Sequence, residues 1–528
     1  MEFVTSKREI GKWTLVLAGA TSIIGSAWLF APFEAAKLAG PAAVISWIIG
    51  GAIIMLIALT CTELGTMFPK TGSMVHYLQE SHGQLTGFMG GWANWVAFAP
   101  STAIEAVAST QYLSSWNFAW THALYSSATG DMTIYGLMFA GGLMFIYFFL
   151  NYWSMQLFLK SMVLVTCFKL FVPFLTIVVL AVVSFHISNF TSFHHSFAPY
   201  HWSAVLAAVP ATGIVFCLTG YQTVINLAGE AKNPGKSIPF AVITCLVIGI
   251  SLYVLLQIVF IAAVNPSVVA QGWSHMVMSS PFAQLAIALN LNLLMLVLYF
   301  DAFVSPSGCA LAILGSCARM LFGMEKNKQM PKFIGKLHAK TRVPRAALWV
   351  NLGVSFVFLF VFQGWSNLAT AITVAFVISF LVGPIGLSAL RVKYPDMKRP
   401  FKLPFAPVLS PIVFVLCSLI MYWARWPMTG KVLLTMLAGM VFYFYYQHKT
   451  GWVDFGGQLR SAMWLIVYMA VMAVFSYIGG TDFGGLGLIP NGWGQLIVVL
   501  LALVFYFWGV KSYYKPKITR SENGEMIL

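Results

Sequence analysis

Charge is what this chain has least of. Only 9% of its 528 residues are Asp, Glu, Lys or Arg, where a soluble domain carries about 25%. Apolar and aromatic residues and cysteine make up 59%, and carboxylates number only 15. There is no polar stretch of a hundred residues, so there is no room for a large soluble domain. A Walker motif is also missing, which excludes direct drive by ATP. The seven cysteines, Cys61, Cys167, Cys217, Cys245, Cys309, Cys317 and Cys417, sit in apolar runs with none at metal-ligand spacing. They read as small buried apolar residues. His186, His194, His195 and His201 fall in one loop and read as solvated rather than metal-binding. Ser305 and Ser307 have no histidine in the apolar runs to activate them. No cofactor, metal or catalytic residue is expected, and an intramembrane enzyme is disfavoured.

What remains is a chain for a lipid bilayer. A span needs about 20 apolar residues. Fourteen candidates appear, at roughly 13–36, 41–64, 86–115, 132–153, 157–185, 203–228, 239–264, 290–318, 346–363, 366–390, 405–424, 430–447, 460–478 and 493–512. The polar residues 1–12 precede a full-length span and are read as a cytoplasmic N-terminus, not a cleaved signal peptide. With that terminus inside and the spans alternating, 26 of the 30 Lys and Arg fall on the cytoplasmic side. That is the positive-inside bias. It gives two cytoplasmic termini, 513–528 being the second, and it explains the net charge of +15 without nucleic acid. The four exceptions are Lys37, Lys169, Arg425 and Lys431. Glu34 and Lys37, three apart, are expected to pair with each other.

Two of these runs are chemically odd. Residues 19–33 read G-A-T-S-I-I-G-S-A-W-L-F-A-P-F. A helix that only crosses lipid has no use for so many Gly, Ser and Pro residues, since Gly alone costs about 1 kcal/mol against Ala. A break is tolerable in a membrane only where it lines a cavity. There the new helix end turns its positive dipole toward an anion. Ile23 to Ala27 is therefore expected to be an unwound hinge that holds a small zwitterion, with a Gly/Ser packing face as the alternative. The sixth run carries a second break, F-C-L-T-G-Y-Q at 216–222. Two broken spans, five apart and opposite in direction, are the sequence sign of an inverted repeat. The expected fold is all-α integral membrane, a five-plus-five inverted-repeat transporter core with about four extra C-terminal helices. The repeats would be 13–185 and 203–390, and the additional helices 405–512 are read as packing or oligomer contacts. A channel would need rings of one residue type along a pore, and two broken helices fit alternating access better.

The same residues resemble a known superfamily. Ile24-Gly25-Ser26 is similar to the hinge of amino acid–polyamine–organocation transporters. So are A-L-T-C-T-E-L-G-T-M-F-P-K-T-G-S (58–73), L-T-G-Y-Q with G-E-A-K-N-P-G-K-S-I-P (218–239), and A-R-M-L-F-G-M with Met330-Pro331 (318–331). The order is right over about the first 345 residues. The chain departs from the pattern at Ala27 (usually Gly), at Gln222 (often Glu) and at Asp301 within the eighth span. This last feature resembles bacterial permeases described as aspartate–proton symporters.

The resemblance implies transport of amino acids or related amines. Substrate would be held by Thr21, Ser22, Ile23, Gly25, Ser26 and Ala27 of the first span and by Phe216, Cys217, Leu218, Thr219 and Gly220 of the sixth, with Phe216 as an aromatic gate. Coupling needs a group that changes charge in the membrane, where ionisable residues are functional candidates by default. Lys169, Asp301 and Glu105 are the three. By resemblance, Lys169 takes the place of a sodium ion in related sodium-driven carriers. Glu230, Lys232 and Lys236 are expected to lock the inward end of the sixth span. The expected function is proton-coupled symport of an amino acid across the cell membrane, with an exchanger or a non-transporting sensor of the same fold as alternatives. A homo-oligomer is left open.

Overall fold

The computed structural model describes residues 9–70, 72, 74–126, 129–153, 155–339, 343–452, 454–490 and 492–515, with short pieces at 519–520 and 526–527. Expectations that fell on residues 1–8, Thr71, Ser73, Lys340, Arg342, the Lys160 side chain and most of 513–528 lie outside the described residues. The chain is helical nearly throughout. Its helices are α1 (Lys12–Ile23), α2 (Ala27–Ala39), α3 (Ala43–Met67), α4 (Met74–Phe98), α5 (Ser101–Leu113), α6 (Ile134–Trp153), α7 (Met155–Val183), α8 (His201–Ala211), α9 (Ile214–Cys217), α10 (Tyr221–Asn226) and α11 (Pro234–Ala263). Then follow α12 (Pro266–Val269), α13 (Pro281–Ala288), α14 (Asn292–Lys326), α15 (Arg345–Val361), α16 (Trp365–Phe380) and α17 (Val382–Lys393). The last four are α18 (Ala406–Trp423), α19 (Met428–Thr450), α20 (Phe455–Ile478) and α21 (Trp493–Lys511).

By length and apolarity, ten helices among the described residues can cross a membrane, or eleven if the bent pair 201–211 and 214–230 is one span. The sequence led us to expect fourteen, and the difference lies where glycine and proline break helices. α1 is only 12 residues long because it stops at Ile24. Residues 27–67 run on as one apolar stretch of 41 residues. It turns a corner at Gly40, whose φ of 62° is left-handed and favours glycine. The third expected span begins earlier, at Met74, and is broken both at Gly83 (φ 84°) and at Pro100. α15 is a shorter apolar helix of 17 residues and is not among the ten.

Burial sorts the helices. Within Trp365–Lys393, 94% of an 18-residue apolar stretch is buried, against 28% and 33% of the corresponding stretches in Met428–Lys449 and Trp493–Lys511. α16 and α17 are therefore the interior, and α19 and α21 face lipid. The broken helices pack against each other at their breaks. A Cβ on Gly220 would lie 2.5 Å from the Ile23 amide nitrogen, and one on Gly19 would lie 2.8 Å from Val224 Cγ2 and Cys245 Sγ. Small residues let helix backbones approach in this way. The expected break within 216–222 is present, and a further interruption precedes it. Residues Ile214–Cys217 are helical, and the chain is interrupted on either side, at Thr212–Gly213 (Gly213 φ 84°) and at Leu218–Gly220.

Candidate functional site

The break between α1 and α2 leaves polar backbone groups deep in the protein. The last carbonyls of α1 and the first amides of α2 have no partner within their own helices. Side chains from four other helices supply them, and one from a fifth binds the Ser26 hydroxyl. The Lys169 Nζ of α7 donates to the Thr21 carbonyl at 2.7 Å. Cys309 Sγ of α14 points at the Ser22 carbonyl at 3.5 Å, and the Tyr253 hydroxyl of α11 donates to the Ile23 carbonyl at 2.8 Å. On the α2 side, the Ser26 amide donates to Glu105 Oε2 of α5 at 2.7 Å. Trp365 Nε1 of α16 donates to Ser26 Oγ at 3.0 Å. Every one of these residues is buried.

Neighbours fix these partners in turn. Tyr253 lies flat on Trp47, centroids 4.6 Å apart. Trp47 Nε1 donates to Gln257, whose amide donates to the Pro32 carbonyl at 3.0 Å. Thr21 and Thr166 share a hydroxyl–hydroxyl bond, which ties α1 to α7. Trp365 is stacked on Phe30 at 5.2 Å, and its ring edge would meet a Cβ on Gly213 at 2.8 Å. One indole therefore touches both broken helices.

The three buried charges expected from the sequence converge here without touching. Glu105 reaches the hinge through Gly25, where a Cβ would come within 2.5 Å of its Oε1. That oxygen makes no hydrogen bond among the described residues. Lys169 Nζ passes 3.3 Å from where a Gly308 Cβ would be. Asp301 sits farther along α14, held by Trp28 Nε1 at 3.1 Å and Ser305 Oγ at 2.7 Å. Lys169 feels the charge of both acids, yet among the described residues none of the three takes part in an ion pair within 4 Å.

Phe216, Cys217, Leu218, Thr219 and Gly220 lie buried beside the α1 break. Thr219 donates to the Phe216 carbonyl at 2.8 Å, and Phe216 has no ring partner among the described residues. The aromatic pair over the hinge is Phe30 and Trp365. Sequence reasoning missed Trp365, Tyr253 and Cys309. It expected Glu34 and Lys37 to pair; no ion pair forms between them, and both line a cavity on the face away from the N-terminus. The face nearer the N-terminus is sealed. Glu230 pairs with Arg319 at 2.9 Å, and backbone bonds join Ile10 to Glu230 and Lys232. Buried Glu63 binds Arg391 and the Leu403 amide. Just inside this seal, the amides of Gln222 and Asn226 are buried without partners among the described residues.

The arrangement presents a cluster of amides, carbonyls and buried charges at a helix break, suited to a zwitterion. Comparison with known proteins agrees. A family described as amino acid permease matches residues 10–445. The glutamate/serine transporter AimA of Bacillus subtilis (strain 168) is 51% identical over 513 residues, covering 97% of this chain and 95% of that protein. The aspartate-proton symporter of the same organism is 33% identical over 507 residues, 95% and 96% of the two chains. Its branched-chain amino acid permease BcaP is 25% identical over 453 residues, 84% and 94%.

Proposed function

This chain belongs to the amino acid permease family, and from that premise we propose that it carries an acidic or small hydroxylated amino acid into the cell together with a proton. It is a multi-pass membrane transporter and not an enzyme. The substrate class follows the names of its two most similar relatives reported above, a glutamate/serine transporter and an aspartate-proton symporter. The repeats 13–185 and 203–390, cytoplasmic termini and additional helices 405–512 complete the reading, supported by the two broken helices and by the Lys and Arg bias.

The observation that carries it is the bond from the Ser26 amide to Glu105. A carboxylate already occupies the helix N-terminus where a substrate carboxylate belongs. Protonation of Glu105 at its unpaired Oε1 weakens that bond. The Ser26 amide is then free for substrate, and proton and substrate arrive together. The hinge groups of Thr21, Ser22, Ile23, Gly25, Ser26 and Ala27, with 216–220 opposite, receive the amino and carboxyl groups. A carbonyl has two lone pairs, so Ile23 can keep Tyr253 and accept an ammonium. Lys169 holds the α1 end in register, and Asp301 senses the same field. Phe30 and Trp365 close the outer side, and Glu230–Arg319 the cytoplasmic side. Uptake of labelled glutamate, aspartate and serine into proteoliposomes, with and without an inward proton gradient, tests this. Gradient-stimulated accumulation is expected. Uptake only into vesicles preloaded with amino acid makes the protein an exchanger and withdraws the coupling roles.

A further inference from the structure

Four Lys and Arg escape the bias that gathers the other 26. One, Lys169, is at the hinge. The remaining three, Lys37, Arg425 and Lys431, all line a single cavity of about 480 Å³ on the face away from the N-terminus. They come from different places in the chain: the end of α2, the loop after α18, and the start of α19. The volume lies within the range of small-molecule sites, about 300–1,000 Å³.

None of the three is neutralised by an ion pair within 4 Å among the described residues. Lys37 and Lys431 rest on the rings of Phe33 and Phe362, 5.9 and 5.8 Å from the centroids. Arg425 Nε is buried and makes no hydrogen bond among the described residues. Partial burial lowers the pKa of this guanidinium, and Asp482 opposes that effect. Among the described residues Glu34 is the one acid on the cavity wall. The segment carrying Arg425 is held in place from outside, by the Trp426 amide donating to the Phe483 carbonyl at 3.0 Å. Ser366 and Thr370 also line the cavity. Both belong to α16, the helix that also carries Trp365.

We propose that this cavity is an outer binding site for the side-chain carboxylate of a dicarboxylic amino acid, built on Lys37, Arg425 and Lys431, which collects acidic substrate beside α16. The inference rests on the transport reading above and adds to it. It gives the additional helices a task, since α18 and α19 carry one wall of the site. It also separates the two substrates that the reading allows: glutamate has the extra carboxylate and serine does not.

The test is initial-rate uptake of labelled glutamate and labelled serine into proteoliposomes, at low and high external choline chloride. Raising salt from about 0.01 M to about 0.15 M shortens the screening length from about 30 Å to about 8 Å. The wild-type KM for glutamate is expected to rise with salt while that for serine stays level. In K37Q/R425Q/K431Q, the glutamate KM is expected to rise about tenfold at low salt, the lower end of what a focused field does to local substrate concentration. Its salt dependence should vanish, with serine unchanged. R425K, which keeps the charge, should recover part of the effect when it replaces R425Q in that variant. Equal changes for both substrates, or a salt-insensitive wild-type glutamate KM, overturn the outer site and leave the transport reading standing. A wild-type protein that carries neither amino acid overturns both. The salt comparison needs no variant and so survives a triple mutant that does not fold.

Discussion

Glu105→Gln separates a carboxylate that competes with substrate from one that merely holds the hinge. The amide side chain keeps the shape and can still accept from the Ser26 N–H, a bond of 2.7 Å in the native protein. What it loses is charge and the ability to take up a proton. A hydrogen bond to a charged acceptor contributes about 1.5–3 kcal/mol, and one between neutral groups about 0.5–1.5. The hinge amide is then about 1.4 kcal/mol cheaper to release, which is a factor of about ten in affinity. Substrate binding to the purified variant, measured with labelled glutamate at several pH values, should be about tenfold tighter than wild type at alkaline pH. At acid pH, where wild-type Glu105 is protonated, the two should agree. In proteoliposomes the variant should exchange substrate across the membrane and fail to accumulate it against a gradient. If it accumulates substrate as the wild type does, or keeps the wild-type pH dependence of affinity, Glu105 is a structural prop and the coupling argument fails.

Other perturbations reach different parts of the account. Lys169→Ala leaves the Thr21 carbonyl buried without its donor, a penalty of about 1–3 kcal/mol; the melting temperature should fall and uphill transport should drop, with residual substrate binding. Gly220→Ala places a Cβ 2.5 Å from the Ile23 amide nitrogen, so the two broken helices must part; loss of transport together with reduced thermal stability is expected, and a stable, active variant refutes the close crossing. Arg319→Gln removes the partly buried pair with Glu230, a contribution of about 1 kcal/mol. A cysteine at Asn226 in that background should then react with a cytoplasmic maleimide about fivefold faster, because its neighbourhood becomes wet more often. Trp365→Phe keeps the stack on Phe30 but loses the bond to Ser26; substrate trapped at the hinge should leave faster toward the outer face, read as a higher off-rate in binding chases.

The sequence made the class and the two breaks legible because both are local. Apolar runs declare a membrane protein, and Gly25, Ser26 and Gly220 stand out within them. Lys169, Asp301 and Glu105 were legible for the same reason, as ionisable residues inside apolar runs. Their partners were not. The bond from Trp365 to Ser26 joins residues 339 positions apart, and that from Lys169 to Thr21 joins residues 148 apart. Nothing local distinguishes Trp365 among 18 tryptophans or Tyr253 among 20 tyrosines. Gly364, left-handed at φ 85°, opens α16 just before Trp365 and was the nearest available cue. Glu34 and Lys37 mislead for the opposite reason. Their spacing obeys a local helix rule, while both line a cavity that only the fold creates. The second break falls within 216–222, but the earlier interruption at Thr212–Gly213, separated from it by the one helical turn of Ile214–Cys217, was not read.

The most direct test of the central claim is an experimental structure of the protein in a lipid nanodisc with glutamate bound. The account predicts density for the α-carboxylate within hydrogen-bond distance of the Ser26 amide, with Glu105 withdrawn from it. Glutamate seated elsewhere, with the Glu105–Ser26 bond intact, would contradict it.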